Sequence, residues 1–236
     1  MTATRDALLG GRVHVWQPRR GFRSGSDAVL LAAACPARPG DRVLDLGCGT
    51  GAVALCLAAR VGALDLLGIE RDPAAAAMAR RNGLAVQVAD VLDPPPELRA
   101  RSFDHVVTNP PYYAAGGSRP VDPGRAAAMR EGAVGDLRAW CDAACRRAGP
   151  KGTVTVIAAA DRLADVLGAM DGRLGDIRIR PIAGGDAVPA GRVIVRGRKG
   201  RRAPLRLLTP LVTHRDGDPT DEAEAILRHA AALSMD

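Results

Sequence analysis

Arg42-Val43-Leu44-Asp45-Leu46-Gly47-Cys48-Gly49-Thr50-Gly51 decides how this chain folds. Val43 to Leu46 is an apolar run broken by one acid, the pattern of a buried strand. Glycines at alternate positions then favour a tight turn, because glycine alone takes positive φ without a steric penalty. From Ala52 an alanine- and leucine-rich run reads as a helix over 52–60. Strand, glycine turn and helix make the first half of a strand–helix–strand unit.

The unit repeats downstream. A second strand is predicted over 66–70. Asp72 then caps a helix with Pro73 at its first position, and Asn82-Gly83 closes it. Strands follow over 85–90 and 103–108, with a triple proline between them. Residues 113–135 read as a loop, and Asp136 as the cap of a helix that Gly149-Pro150 stops. Further strands are predicted over 152–158, 176–182 and 192–198, the last two joined by a Gly-rich loop with no helix. A final helix spans 220–233. Upstream, 13–16 is a short strand, and Ser26 or Asp27 caps a helix over 28–34. The pattern predicts an α/β fold: a doubly wound, mostly parallel, seven-stranded Rossmann-like sheet with an antiparallel edge strand.

Composition narrows the function classes. With 47% hydrophobic and 25% charged residues, the 236-residue chain is globular rather than disordered. No apolar run approaches the ~18 residues of a membrane span. The first residues lack a signal-peptide pattern, so a cytoplasmic location is expected. Five cysteines and four histidines show no paired metal spacing, and no metal site is expected. The net charge of +7 comes almost entirely from arginine, since Lys151 and Lys199 are the only lysines; it suits a polyanionic partner.

In a parallel sheet every strand brings its C-terminal end to one edge, where ligands bind. Here that edge would collect Asp45 with Gly47, Gly49 and Gly51, then Glu70, Asp90 with Val91, and Asn109. Gly47-x-Gly49-x-x-Ala52 with Glu70 downstream also satisfies the dinucleotide fingerprint, so a nicotinamide-dependent oxidoreductase is a rival. Against it, a carboxylate at Asp45 would repel a pyrophosphate and attract a cation. S-Adenosylmethionine, with an ammonium and a sulfonium, meets that demand. Glu70 would accept from both ribose hydroxyls and Asp90 from the adenine amine.

Asn109-Pro110-Pro111-Tyr112 is a stiff turn, because each proline fixes its own φ and lacks an N–H. The Asn109 side-chain oxygen and the Pro110 carbonyl can each accept one N–H of an exocyclic amine. Tyr112 is placed to stack on its ring, a contact worth ~1–3 kcal/mol. Two of the chain's six aromatic residues, Tyr112 and Tyr113, directly follow the two prolines.

Asp45 to Gly51 resembles the first motif of class I methyltransferases, and Glu70 their ribose-binding acid. Asn109 to Tyr112 resembles the motif of members that modify adenine N6, guanine N2 or a protein glutamine. The ends of the chain resemble the bacterial tRNA adenine-N6 methyltransferases that act next to the anticodon of a valine tRNA. That likeness runs through Gln17-Pro18-Arg19-Arg20-Gly21-Phe22-Arg23 to Asp27 and Leu30-Leu31-Ala32. It resumes in Arg192 to Val195, Lys199-Gly200 and Leu207 to Leu211. Ser24-Gly25-Ser26 departs from it where a bulkier loop residue is expected.

The resemblance implies an S-adenosylmethionine-dependent N-methyltransferase, with residues 1–40 an extension covering the cofactor site and 41–236 the catalytic domain. Catalysis is assigned to Asn109, Pro110 and Tyr112, and cofactor binding to Asp45, Gly47, Gly49, Gly51, Glu70, Asp90 and Val91. RNA, as tRNA, is expected to contact Arg19, Arg20, Arg23 and the run Arg196, Arg198, Lys199, Arg201, Arg202 and Arg206.

Overall fold

The computed structural model describes residues 3–111 and 137–236. Its frame is one mixed sheet. The parallel strands β3 (Arg42–Leu46), β4 (Asp65–Glu70), β5 (Val86–Val88), β6 (Phe103–Thr108) and β7 (Ala148–Ala159) lie in the order β5-β4-β3-β6-β7. Beyond β7 come β9 (Arg192–Lys199) and then β8 (Leu174–Ala183). β9 runs antiparallel to both neighbours, so β8 is again parallel to β7. The antiparallel pairing expected at the end of the chain is therefore present, with β9 inside the sheet between β7 and β8. Two short strands absent from the sequence reading, β10 (Arg206–Leu207) and β11 (Leu211–Val212), extend β8 in parallel.

Alternation along the strands divides the core between the two faces. Val43, Val107, Ile157 and Ile194 face α1 (Ser26–Ala34) and α2 (Ala52–Val61). Leu44, Leu46, Val106, Val154, Val156 and Val195 face the helices α5 (Leu137–Arg147) and α6 (Leu163–Met170). The helices α3 (Pro73–Arg81), α4 (Pro96–Arg99) and α7 (Asp221–His229) complete the α-helices among the described residues. Each large apolar side chain buried here contributes roughly 1.5–3 kcal/mol relative to exposure.

Before the sheet, β1 (Ala3–Leu8) pairs antiparallel with β2 (Val13–Pro18). Leu9, Val13 and Val15 of this hairpin share the cluster of α1 and α2. α1 starts at Ser26, two residues earlier than expected, without a side-chain cap. Asp27, a cap candidate, instead pairs with Arg192 of β9 at 2.6 Å. Asp72 caps α3 as expected, accepting from the Ala74 N–H at 2.8 Å. The final helix ends at His229, short of 233, because Ala230 turns left-handed at φ 59°.

Among the described residues no helix is long and apolar enough to cross a membrane, and no group of His, Cys, Asp or Glu could hold a metal. All five cysteines are buried and free, and burial pushes each thiol pKa up, that of Cys35 to about 12.

Candidate active site

Sheet register sets the geometry of the site. Leu46 lies opposite Ile69, Glu70 opposite Val88, and Asp45 opposite Val107. The four strands thus end nearly level, and Asn109 follows β6 at the height where Gly47 follows β3. Tyr112, Tyr113, the expected loop and Asp136 lie outside the described residues.

The glycine turn is pinned from below. The N–H groups of Gly47 and Cys48 both donate to the Ile69 carbonyl, at 2.9 and 2.8 Å. Glu70 accepts from the Gly49 N–H with one carboxylate oxygen and from the Asp72 N–H with the other, each at 2.9 Å. It is half-buried and keeps lone pairs for a ligand. Gly49 adopts φ +54°, and among the described residues no atom lies within 4 Å of where its Cβ would stand. That open side is a cradle for a close-lying ligand. Asp90 is exposed at the rim, oriented by the Leu92 N–H at 2.8 Å, and Val91 beside it is buried.

Asp45 sits under the turn. It is 2% exposed and accepts from the Ala54 N–H at 3.2 Å. Its carboxylate caps α2, a task the preceding Gly51 cannot perform. Burial, with Glu70 nearby, pushes its pKa up to about 7. The folded state therefore holds a proton that the unfolded chain releases near pH 4. The stabilising contribution is complete below that value and is lost as pH rises towards 7. Relative to Asp45→Asn, the parent is expected to lose up to roughly 4 kcal/mol of stability between pH 4 and 7. Urea denaturation of both proteins across that window checks it, and a pH-independent difference would contradict it.

Asn82, the residue after α3, is a positioning residue that sequence reasoning assigned only to a helix end. Its side chain accepts from the Trp16 N–H at 2.8 Å and donates to the Trp16 and Thr50 carbonyls at 3.0 and 2.9 Å. It fastens the N-terminal hairpin to the glycine turn. The Arg81 guanidinium lies 3.9 Å over the Trp16 ring and adds to that joint.

The arginines separate into two groups. Arg23 is tied to Asp6 at 2.5 Å. Arg196 is inward, donating to the Ala34 and Met235 carbonyls, and burial lowers its pKa to about 10. Lys199 donates to the Cys145 and Ala148 carbonyls at the end of α5. These three charges, each expected to meet RNA, already have partners within the fold. Arg19, Arg20, Arg201, Arg202 and Arg206 are exposed. Register places Arg198 opposite Thr153 and Arg192 opposite Ala159. Arg198 therefore lies about 13 Å below Asn109 along β7, and the chain leaves the sheet there at the end away from the site. β10 then returns Arg206, on the outermost strand, to the level of Val107.

Comparison with known proteins now defines the class. A family model described as the methyltransferase small domain matches residues 21–125. The structure superposes on a predicted O-methyltransferase of Agrobacterium tumefaciens with a TM-score of 0.73 at 27% identity, covering 88% of this chain and 98% of the other. The sheet is that of a methyltransferase. A tRNA1(Val) (adenine(37)-N6)-methyltransferase of Aeromonas hydrophila is 37% identical over 151 residues, 61% of this chain and 62% of the relative's length. One from Dickeya chrysanthemi is 31% identical over 202 residues, 80% of this chain and 78% of the relative. The chain belongs to the tRNA1(Val) (adenine(37)-N6)-methyltransferase family.

Proposed function

We propose that this protein transfers a methyl group from S-adenosylmethionine to adenine N6 in a tRNA. The carrying observation is the level end of β3 and β6, which sets the Asn109-Pro110 turn beside the glycine cradle. The residues suit the cofactor: an open Gly49, a half-buried Glu70 for ribose hydroxyls, and Asp90 with Val91 for the adenine. Asp45 lies beneath the turn, capping α2, and a cation bound above it would favour its ionised form. The bound cofactor supplies an electrophilic methyl on a sulfonium.

The chain's own task is positioning. An aromatic amine is a poor nucleophile because its lone pair is delocalised into the ring. The Asn109 side-chain oxygen and Pro110 carbonyl each accept one N–H and turn the lone pair towards the methyl. Two acceptors fit an amine better than a hydroxyl, which has only one hydrogen to give. In this reading Tyr112 stacks on the target ring. Residues 1–40 cover the cofactor site, held there by Asn82, and 41–236 form the catalytic domain. Arg19 and Arg20 meet the RNA; Arg206, on the outermost strand at nearly the level of the site, meets it where it lies across the sheet, and Arg201 and Arg202 only where it extends beyond the far end of the strands. A tRNA substrate places the protein in the cytoplasm.

Labelled methyl transfer to RNA from a strain lacking the gene, followed by nucleoside mass spectrometry, is expected to yield N6-methyladenosine in the tRNA fraction. S-Adenosylhomocysteine is expected to raise Tm. Stabilisation by NAD(P) instead, with no methylated nucleoside, would overturn the proposal.

A further inference from the structure

Thr108, the last residue of β6, is completely buried. Its hydroxyl donates to the Leu46 carbonyl at 2.7 Å and accepts from the Trp140 indole N–H at 2.8 Å. Leu46 immediately precedes Gly47, and Thr108 immediately precedes Asn109. The same indole ring lies close against the turn: a Cβ on Gly47 would stand 2.4 Å from Trp140 Cζ2. Trp140 belongs to α5, packed on the opposite side of β6 from α2. One hydroxyl therefore joins the strand carrying the cofactor turn, the strand carrying the amine-binding turn, and the helix between them and solvent.

We propose that Thr108 and Trp140 are positioning residues that fix the distance between the glycine turn and Asn109. This rests on the methyl-transfer reading above. Two acceptors hold an amine usefully only if they stand at a set distance and angle from the methyl donor, and reaction rates fall steeply when such groups slip by an ångström. Adjacent parallel strands can shear slightly at their ends, where ladder bonds stop. The buried hydroxyl bridges β3 and β6 at that point, and the indole N–H fixes which way it donates. A threonine at a strand end is also a common packing residue, so the test must separate alignment from stability.

Three variants make the separation. Thr108→Val keeps the shape and removes the hydroxyl. Thr108→Ser restores it. Trp140→Phe keeps a ring against Gly47 and removes the N–H. Thr108→Val and Trp140→Phe are each expected to lower kcat by about 10- to 100-fold at a temperature well below their Tm. The affinity for S-adenosylhomocysteine, read by calorimetry, is expected to stay within about threefold, and Thr108→Ser to recover most of the rate. The double variant is expected to be no slower than the worse single, as for two members of one unit. In the cofactor-free protein, solvent exchange of the Trp140 indole N–H, followed by NMR, is expected to accelerate at least about tenfold in Thr108→Val.

Parental kcat in both Thr108→Val and Trp140→Phe would overturn the inference. So would a loss of rate matched by an equal loss of cofactor affinity. A parent protein that methylates no RNA would overturn the underlying reading instead.

Discussion

Asn109→Ala is expected to lower kcat for methyl transfer by about 10²–10³-fold while S-adenosylhomocysteine still binds within about threefold of the parent. The size follows from what the substitution leaves behind. The Pro110 carbonyl remains, held by the stiff backbone of two consecutive prolines, but it accepts only one N–H. With one hydrogen bond the amine can rotate about the C–N axis. Its lone pair then returns to conjugation with the ring, and the nucleophile is lost to the aromatic system. A fall of 10³ corresponds to about 4 kcal/mol of transition-state stabilisation. None of it should appear in cofactor affinity, because the cradle at Gly49 and the carboxylate of Glu70 are on other strands. Asn109→Asp, which keeps an acceptor at the same place, is expected to fall between parent and alanine variant. Single-turnover rates with saturating cofactor measure the step directly. An alanine variant within about fivefold of the parent would remove Asn109 from the chemistry.

The strand ends are legible in the sequence because apolar runs, glycine turns and prolines are local signals. Asp45, Glu70, Asp90 and Asn109 each follow or end such a run, and parallel topology alone gathers them on one edge. Contacts between distant segments left no such mark. Trp140 reads as one aromatic among six, since nothing near position 140 announces that it lies against Gly47. Asn82 reads as a helix end, because its partners, Trp16 and Thr50, are 66 and 32 residues away. β1 alternates polar and apolar residues too weakly to stand out, and its pairing with β2 supplies what propensity does not. Charge shows its sign in the sequence but not its place in the fold. In the arginine-rich run beyond 196, β9 runs antiparallel and carries Arg198 away from the site, while β10 returns Arg206 to the level of Val107. Arg196 and Lys199 spend their charge on backbone carbonyls inside the fold.

Gly47→Ala tests the packing on which the site depends, and its effect is expected to be large. Gly47 adopts φ +74°, where an L-residue is strained by about 1 kcal/mol. The added methyl would also stand 2.4 Å from Cζ2 and 2.9 Å from Cη2 of Trp140, well inside van der Waals contact. The ring cannot simply yield. Its N–H is held at 2.8 Å by Thr108, and rotating the indole away breaks that bond and orphans a buried hydroxyl's partner. Strain and overpacking together are expected to cost about 2–4 kcal/mol, a fall in Tm of roughly 5–15 °C for a chain of this size. Gly49→Ala is the internal control. It carries comparable backbone strain at φ +54° but meets nothing among the described residues, so its Tm should fall far less. Its methyl instead occupies the cradle, and S-adenosylhomocysteine affinity should drop by at least about tenfold. The two glycines thus separate a structural role from a binding role within one turn. Removing the obstacle supplies the decisive comparison: in a Trp140→Ala background, Gly47→Ala should cost only the backbone strain. If Gly47→Ala is equally destabilising with and without the indole, the close contact between turn and helix is not what confines position 47 to glycine.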